Sequence, residues 1–369
     1  TISRNGDLIT NCWVQATITP HGTSVWVQSL GHKLLEEIEL EIGGQRIDKH
    51  YSDWLEIWSE LTVPEEKLAA YRTMVGKQAG ITASTASTAD LYIPLVFFFN
   101  RNPGLALPLI ALQYHEVKIN VKFAKAADLH SGVTADQAAQ AAGYTDASTG
   151  NSATAPGTFV AAPSVNPIAL SASLWVDYVY LDTDERRRFA QVSHELLIEQ
   201  LQFTGTEAVS SNTSNKVRLN FNHPVKELIW VFKDQQQFAE DPFDYSHTGT
   251  TSANEDPFDA TGTSLMSKAK LQLNGHDRFA ERDADYFRLV QPYQHHTRVP
   301  TRPIYVYSFA LKPEEHQPSG TCNFSRIDNA TLNVEMDGHT NETYNMMVFA
   351  VSYNVLRIMS GMGGLAYSN

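Results

Sequence analysis

The sequence has few cysteines, little charge and no long apolar run. Only two of its 369 residues are cysteine, so no disulfide framework organises the chain, which fits a reducing compartment. Its longest apolar stretch, residues 93–99, has the length of a strand and is far shorter than the roughly 18 residues that a membrane-spanning helix needs. These absences exclude a disulfide-stapled mini-protein and a helical membrane span within these residues.

Positive charge is scarce as well. The chain has 28 Lys and Arg against 41 Asp and Glu, which gives a net charge of −13. Proteins that bind nucleic acid carry a basic stripe that displaces counterions from phosphate. The short basic run at residues 186–188 is flanked by Asp182, Asp184 and Glu185, so we interpret it as a solvated, internally paired linker. No direct nucleic-acid binding is predicted.

Apolar and aromatic residues are plentiful, and they come in short runs. Hydrophobic residues make up 42% of the chain and aromatic residues 10%, enough for a substantial core. Residues 37–42 alternate charged and apolar side chains before Gly43 and Gly44, which predicts a half-buried strand entering a tight turn. Further strands are predicted at residues 9–17, 176–181, 217–221, 228–232, 304–311, 330–336 and 346–356.

Helical signals are local. The apolar spacing within residues 52–61 predicts one helix, and a capping-box pattern at residues 62–65 predicts a second that ends at Gly76. Long surface loops are predicted at residues 77–90, 126–172 and 234–266, which are polar or rich in small side chains. The pattern indicates an all-β scaffold decorated with short helices.

The two halves of the chain carry an internal repeat. The matched pairs are residues 40–45 with 271–276, Tyr92 with Tyr305, Val121 with Val334, and 175–181 with 347–356. Because these matches occur in the same order, they predict two copies of one β domain, residues 1–185 and 186–369. Two tandem eight-stranded units with long loops favour jelly rolls over barrels.

The repeat also predicts a difference between the halves. The second half has two strands, at residues 197–203 and 216–222, before the strand that begins at Leu228. The first half has only residues 9–17 in the corresponding place. We therefore expect the opening strands of the first copy to lie upstream of Thr1.

Four longer motifs resemble a known family. They are residues 40–51 (LEIGGQRIDKHY), 102–117 (NPGLALPLIALQYHEV), 317–329 (QPSGTCNFSRIDN) and 353–367 (YNVLRIMSGMGGLAY). Together they resemble the major capsid proteins of nucleocytoplasmic large DNA viruses, in the form found in algal viruses (phycodnaviruses). The resemblance implies a double jelly roll, a homotrimeric capsomer of pseudo-hexagonal outline, and a structural role in an icosahedral shell without catalysis.

The resemblance also implies a location and partners. The protein would reside in the virion after assembly in the host cytoplasm. Its implied partners are two further copies in the trimer, neighbouring capsomers, and minor capsid and penton proteins. A membrane beneath the shell is a further candidate contact, and no cofactor is implied.

One motif predicts a rigid polar corner. Its members are Pro318, Gly320, Asn323, Arg326 and Asp328. Pro318 and Gly320 are turn residues, and Arg326 is expected to pair with Asp328. Asn323 and Asn329 are expected to bond to the loop backbone.

Sequons for N-glycosylation occur at Asn212, Asn323, Asn329 and Asn341. Asn212 lies in a Ser/Thr-rich loop and is the best candidate, whereas Asn323 and Asn329 are assigned to the corner. Assembly in the cytoplasm would keep all four from the glycosylation machinery, so an unmodified chain is the alternative.

Two apolar segments are assigned to packing. Residues 105–112 are too apolar for an exposed loop, and they are predicted to lie either in the core or at a subunit interface. Residues 361–366 superficially match a dinucleotide-binding loop, but no helix follows them. We expect this glycine-rich tail to pack against a neighbour.

The chain lacks the motifs of common enzyme sites. It has neither the His-x-His pair of a cupin-type metal site nor a Gly-x-Ser-x-Gly nucleophile elbow. Residues 276–283 are dense in His, Asp and Glu, but they follow the repeat turn at Gly275 and are interpreted as a solvated or salt-bridged turn. No catalytic residue or metal site is predicted.

Two other functions stay open at this point. A jelly-roll carbohydrate-binding module would stack sugars on loop aromatics, for which Tyr144, Phe243 and Phe258 are candidates. A cupin-like metalloenzyme is the third hypothesis.

Overall fold

Strands dominate the computed structural model, which describes residues 1–19, 24–77, 88–132, 169–211, 214–234, 241–246, 264–336 and 343–367. The strands of the first half are β1 (Leu8–Thr19), β2 (Ser24–Trp26), β3 (Leu35–Ile42), β4 (Gln45–Tyr51), β5 (Ala89–Pro94), β6 (Leu107–Pro108), β7 (Val117–Phe123), β8 (His130–Gly132) and β9 (Ala169–Val179). Those of the second half are β10 (His194–Ser210), β11 (Ser214–Arg218), β12 (Pro224–Asp234), β13 (Met266–Leu273), β14 (His276–Asp277), β15 (Arg282–Asp283), β16 (Tyr305–Ser308), β17 (Cys322–Asn323), β18 (Ala330–Met336), β19 (Thr343–Met359) and β20 (Met362–Leu365).

The helices are short. They are α1 (Leu30–Leu34), α2 (Ser52–Thr62), α3 (Glu65–Val75), α4 (Phe98–Arg101), α5 (Thr183–Gln191) and α6 (Gln291–His295), with a π-helical turn at Tyr286–Val290. Both predicted helices at residues 52–76 are confirmed, and Gly76 ends α3 in the left-handed conformation. The predicted capping box is wrong, because Pro64 is the N-cap and the Thr62 hydroxyl donates instead to the Trp58 carbonyl.

The predicted strands form, but several differ in extent. The strand predicted at residues 217–221 is β11, Ser214–Arg218, and the one predicted at residues 176–181 is the end of β9, Ala169–Val179. The strand at residues 330–336 has the predicted bounds, whereas the one predicted at residues 304–311 is only β16, Tyr305–Ser308. It stops there because the N–H groups of Phe309 and Ala310 both donate to the Lys226 carbonyl, which turns the chain out of the sheet. Most of the three predicted loops lies outside the described residues.

Each half is a sandwich of two sheets around its own core. In the second half, β10, β19, β12 and β16 form one sheet in that order, and β11, β18 and β13 form the other. In the first half, β1 lies between β5 and β9, and β3 lies between β4 and β7. All strand pairings among the described residues fall within residues 8–179 or within residues 194–365.

The internal repeat is visible in this topology. The β3–β4 turn has positive φ at Gly43 and Gly44, and the β13–β14 turn has it at Asn274 and Gly275. Both are the two-residue hairpin turns that need left-handed backbone. The strand β3 then pairs with β7 as β13 pairs with β18, and β1 pairs with β9 as β12 pairs with β19.

The two halves meet at helix α2. Its apolar side chains Trp54, Ile57, Trp58 and Leu61 are buried, and they pack on the outer face of the β12–β16–β19 sheet. This contact explains why residues 228–232 do not alternate. Leu228, Trp230 and Phe232 face the second core, while Ile229 and Val231 face α2, so both faces of β12 are buried.

The C-terminal tail adds a second connection. Tyr114 N–H donates to the Gly361 carbonyl at 3.0 Å, Gly363 N–H donates to His115 Nδ1 at 3.1 Å, and Leu365 N–H donates to Gln45 Oε1 at 3.2 Å. The expected packing partner of this tail is therefore the first half of the same chain. Four of the apolar residues predicted as core or interface are buried in the first core: Leu105, Leu107, Leu109 and Leu112. Within the described residues, no helix is long and apolar enough to span a bilayer.

We predict that Ile57→Ala lowers the free energy of unfolding by about 2–5 kcal/mol, because it leaves a cavity between α2 and the second sheet. Denaturant unfolding of the purified chain measures this loss. Met74→Ala on the neighbouring helix α3 is the control, since Met74 is exposed, and it should change stability by less than about 0.5 kcal/mol. Equal losses in both variants would contradict the buried position of α2.

Candidate functional site

The junction between the halves contains a buried cluster of charges, centred on two carboxylates of α2. Glu56 and Glu60 are four residues apart, so they lie on one face of the helix, and both are buried. Lys77 Nζ lies 2.6 Å from Glu56 Oε1 and 2.7 Å from Glu60 Oε1. His32 Nδ1 lies 2.7 Å from Glu56 Oε2. Within the first half, Lys77 thus contacts both carboxylates and His32 contacts Glu56.

The second half supplies two arginines to the same cluster. Arg298 Nη2 lies 2.8 Å from Glu60 Oε2, and its Nε donates to the Glu60 carbonyl at 2.9 Å. Arg302 Nε lies 3.9 Å from Glu56 Oε1, and its guanidinium also binds Asp241 Oδ2 at 2.8 Å. The cluster therefore joins the halves by charge pairing as well as by apolar contact.

Electrostatics keep these carboxylates ionised. Burial by itself would raise the pKa of Glu56, but Lys77, His32 and Arg302 hold that pKa well below its ordinary value. Burial would also raise the pKa of Glu60, but Lys77 and Arg298 lower this pKa overall. Removing one partner would leave an unpaired charge in a dry environment, which is strongly destabilising.

A second charge bridge lies nearby. Glu199 on β10 lies 2.9 Å from Arg101 Nη1 of the first half and 2.6 Å from Lys226 Nζ on β12. Lys226 is fully buried, donates to the Pro313 carbonyl, and has its pKa lowered by burial. The Arg101 guanidinium stacks 3.9 Å from the ring centre of Trp58, which links this bridge to α2.

His296 completes the charged groups of this region. Its Nε2 lies 3.0 Å from Glu227 Oε2, and its Nδ1 lies 2.9 Å from Glu314 Oε1. Burial would lower the pKa of His296, but the two carboxylates raise it to about 9. The imidazole is therefore charged at neutral pH, and its proton has a structural use.

These ion pairs hold the two halves of the chain together. The charges of α2, β10 and β12 are neutralised by partners held at ion-pair distance. Both cysteines are free, and burial raises the pKa of the Cys12 thiol to about 12, which makes it a poor nucleophile. No group of three or more His, Cys, Asp or Glu side chains suited to a metal occurs in the described part of the chain.

The predicted polar corner is held together differently from the expectation. Asn323 Oδ1 accepts from Ser325 N–H at 3.1 Å, as expected of a side chain that bonds loop backbone. The predicted pairing of Arg326 with Asp328 is wrong, since both are exposed and no ion pair joins these two described residues. Pro318 is exposed, at the surface of the same loop.

The residue that organises the corner is Asn274, which the sequence analysis missed. Its Oδ1 accepts from the N–H groups of Asp328 and Asn329 at 3.0 and 3.1 Å, and its own N–H donates to the Asn329 carbonyl. Its position in the repeat could have identified it as a turn residue, because it corresponds to Gly43 in the β3–β4 turn.

Gly320 fits the corner because it has no side chain. Its φ is +147°, and a Cβ atom there would lie 2.5 Å from the Phe309 carbonyl oxygen. Backbone atoms cannot move away as a flexible side chain does, so this loop requires glycine.

The residues proposed for glycan attachment and sugar stacking are either buried or outside the described residues. Asn212 and Asn341 lie outside the described residues, as do Tyr144 and Phe258. Phe243, expected as an exposed sugar-stacking aromatic, is fully buried against α2 and the second sheet, so that assignment is wrong.

Comparisons with known proteins agree over the whole chain. Residues 1–182 match the family model "Major capsid protein N-terminus", and residues 185–364 match "Large eukaryotic DNA virus major capsid protein". The chain is 51% identical over 401 residues to the major capsid protein of Pyramimonas orientalis virus, covering 100% of this chain and 85% of that protein. It is 42% identical over 406 residues to that of Paramecium bursaria Chlorella virus 1, covering 100% and 86%.

Solved structures agree as well. The quasi-atomic model of the PBCV-1 virus capsid superposes with a TM-score of 0.79 and 40% identity, covering 100% of this chain and 92% of that one. The Faustovirus major capsid protein superposes with a TM-score of 0.73 at 12% identity, covering 97% and 87%, which supports the fold alone.

The fold is that of a double jelly-roll protein, as the resemblance implied, and its buried charges join the two sandwiches. The chain belongs to the major capsid proteins of large eukaryotic DNA viruses. The carbohydrate-binding alternative has no support, because Phe243 is buried and the relatives reported above are capsid proteins.

We predict that acid weakens the junction. The pKa values of Glu56 and Glu60 lie below their ordinary 4.5 in the folded chain, so their stabilisation is fully present above about pH 4.5 and is lost as pH falls through the folded values. Glu56→Gln should melt at a lower temperature at neutral pH, because Lys77 and Arg302 lose a counter-charge. Its melting temperature should then fall less than that of the parent on acidification.

Thermal melts from about pH 6 to pH 3 measure this difference. Glu66→Gln is the matched control, because Glu66 is exposed on α3 and belongs to no ion pair among the described residues, so this variant should respond to acid as the parent does. An equal acid-induced drop in the parent and in Glu56→Gln would contradict the assignment.

We also predict that Gly320→Ala destabilises the chain by about 1–3 kcal/mol, since the new methyl group meets the Phe309 carbonyl. Denaturant unfolding is the measurement. Gln317→Ala, three residues away and exposed, should cost less than about 0.5 kcal/mol. A Gly320→Ala chain as stable as the parent would disprove the close approach.

Proposed function

We propose that this chain is the building unit of a viral capsid shell and acts without catalysis. Three copies form a ring in which six similar sandwiches give a near-hexagonal outline that tiles an icosahedral lattice. The observation that carries this proposal is the buried junction at α2, which fixes two similar sandwiches in one rigid subunit. A ring of three such subunits has closed rotational symmetry, the usual state of soluble oligomers.

Exposed apolar side chains support contacts between copies. Tyr293 on α6 is 80% exposed, Leu289 and Val290 lie one turn before it, and Leu311 is 71% exposed. His295 Nδ1 lies 2.9 Å from the Leu311 carbonyl oxygen, so these residues form one surface, which we call the α6 patch. Apolar patches rimmed by polar groups are typical of protein–protein interfaces.

The net charge of −13 suits a subunit that must stay soluble before assembly. Neighbouring capsomers, minor capsid and penton proteins are the proposed partners of the finished ring, with a membrane beneath the shell as a further contact. Assembly is proposed to occur in the host cytoplasm. The junction charges have structural partners, which supports a function without chemistry.

The internal division and the surface sites belong to the same proposal. We place the boundary between the domains after residue 185, within helix α5, none of whose residues is buried. Asn212 is the proposed attachment point for a glycan. The corner of Pro318, Gly320, Asn323, Arg326 and Asp328 is proposed as a rigid structural element, with Asn274 added to it.

Light scattering on a sizing column tests the ring. We expect one species near three times 41.1 kDa that persists on dilution, because apolar burial between subunits does not require added salt. A monomeric mass at all protein concentrations and ionic strengths would contradict the trimer.

A charged substitution in the α6 patch tests whether this patch is the edge at which subunits meet. Tyr293→Asp should raise the concentration at which the ring dissociates about tenfold or more. Tyr114→Asp is the control, since Tyr114 is 76% exposed and lies beside the C-terminal tail rather than on α6. If both variants dissociate alike, the α6 patch is not the subunit edge.

A further inference from the structure

Two helical segments occupy equivalent places in the internal repeat. Helix α2 lies between β4 and β5, and residues 286–295, which comprise the π-helical turn and α6, lie between β15 and β16. The flanking strands correspond, because β4 pairs with β3 as β14 and β15 pair with β13. In the same way β5 pairs with β1 as β16 pairs with β12. Residues 286–295 are therefore the counterpart of α2 in the second half.

Each of these segments has one side on its own sandwich. Leu55 of α2 belongs to the first core, and Phe287 belongs to the second core. The other sides differ in what they contact. That of α2 packs on the sheet of the second half, whereas Leu289, Val290 and Tyr293 are 38%, 39% and 80% exposed. The α6 patch is thus the exposed counterpart of a surface that is buried in α2.

The sheet under α2 also has a counterpart in the first half. In the second half, a row of apolar side chains crosses three paired strands and contributes to the cluster around α2: Phe349 of β19, Ile229 of β12 and Val306 of β16. The equivalent strands of the first half carry a similar row: Trp175 of β9, Trp13 of β1 and Pro94 of β5. The repeat therefore preserves an apolar row on this sheet as well as a helix.

The row in the first half faces away from its core. Cys12 and Val14 are buried in the first core, so Trp13 between them points to the opposite side of the sheet. Trp175 beside it is 52% exposed, and Tyr92 of β5 is 41% exposed. We call this surface of Trp13, Tyr92, Pro94 and Trp175 the β1 face. Exposed aromatic side chains on adjacent strands are typical of interfaces between proteins.

The α6 patch and the β1 face are two halves of a contact that the chain already makes once. Within the chain, the helix of the first half packs on the sheet of the second half. The helix of the second half and the sheet of the first half remain exposed, as Tyr293 and Trp175 show. A single chain therefore does not bring its own patch onto its own face. A second copy offers the matching surface to each of them.

We propose, on the basis of the ring proposed above, that the α6 patch of one copy packs on the β1 face of the next. This contact is head-to-tail, because each copy contributes a patch to one neighbour and a face to the other. It alternates around the ring with the contact that α2 makes within each chain. Three chains then contain six contacts of a helix on a sheet, and the ring closes.

The two alternating contacts differ in charge. The α2 contact buries Glu56 and Glu60 against Arg298 and Arg302. The contact between copies is formed by the leucine, valine and tyrosine side chains of the patch and by the aromatic and proline side chains of the β1 face. When two copies separate, no buried carboxylate loses its partner, so dissociation of the ring should leave each chain folded.

Complementation between two variants tests the pairing. Tyr293→Asp removes the patch but keeps the face, and Trp175→Asp removes the face but keeps the patch. Each variant alone should raise the concentration at which the ring dissociates about tenfold or more. An equal mixture retains one good contact, so it should form a pair near twice 41.1 kDa that does not grow further. Sedimentation velocity over a concentration series measures these masses.

The outcomes separate the pairing from the ring. A ring that Trp175→Asp leaves intact would overturn the pairing and retain the ring, whereas a monomeric parent would overturn both. A Trp175→Asp chain that pairs with itself would indicate a symmetric contact between two patches and would also overturn the pairing. So would a mixture whose average mass does not exceed that of either variant alone, provided that both variants melt at the temperature of the parent.

Tryptophan fluorescence gives a second measurement with a milder variant. When the parent assembles, its emission should shift to shorter wavelength, because Trp13 and Trp175 lose contact with water. Trp175→Phe keeps an aromatic ring at this position, so it should still assemble but show a smaller shift. Trp26→Phe is the matched control, since Trp26 packs against the first core, and it should show the full shift. Equal shifts in the parent and in Trp175→Phe would contradict burial of the β1 face.

Discussion

Helix α2 holds the two halves of this protein in one arrangement, and its burial depends on two kinds of contact. Trp54, Ile57 and Trp58 anchor it on the second sheet, while Glu56 and Glu60 require cations from both halves. Buried carboxylates are costly without partners. A rotated or shifted pairing of the sandwiches would keep much of the apolar contact but would separate Arg298 from Glu60, so the charges select one geometry.

The same contact shapes the second sandwich. Because α2 covers the outer face of β12, that strand has apolar residues on both faces. One face of its sheet packs in the second core, and the other packs against α2. Near the end of the chain, Gly361 and Gly363 form hydrogen bonds with Tyr114 and His115 of the first half. The two halves are therefore joined in two places, at α2 and at the returning tail.

Sequence patterns predicted the features that depend on local rules. The alternation at residues 37–42, the Gly43–Gly44 turn and the stop at Gly76 each follow from backbone preference, and the repeat located their counterparts. The charged junction was not predicted, because Glu56 and Glu60 on an amphipathic helix have the pattern of a solvated face. Only the tertiary contact with Arg298 and Arg302 distinguishes them. The proposed Arg326–Asp328 pair failed for the converse reason, since neighbours in sequence within an exposed turn gain little by pairing.

The two sandwiches differ in how completely the described residues cover their cores. In the second, Val209 of β10, Val217 of β11 and Leu219 just after β11 are buried in the core. In the first, Leu170 and Leu174 lie opposite the buried residues Ile18 and Val14 but are each 39% exposed among the described residues, so they add little to its core. It is therefore more dependent on α2 and on the returning tail for its order. A weakened junction should loosen the first sandwich before the second.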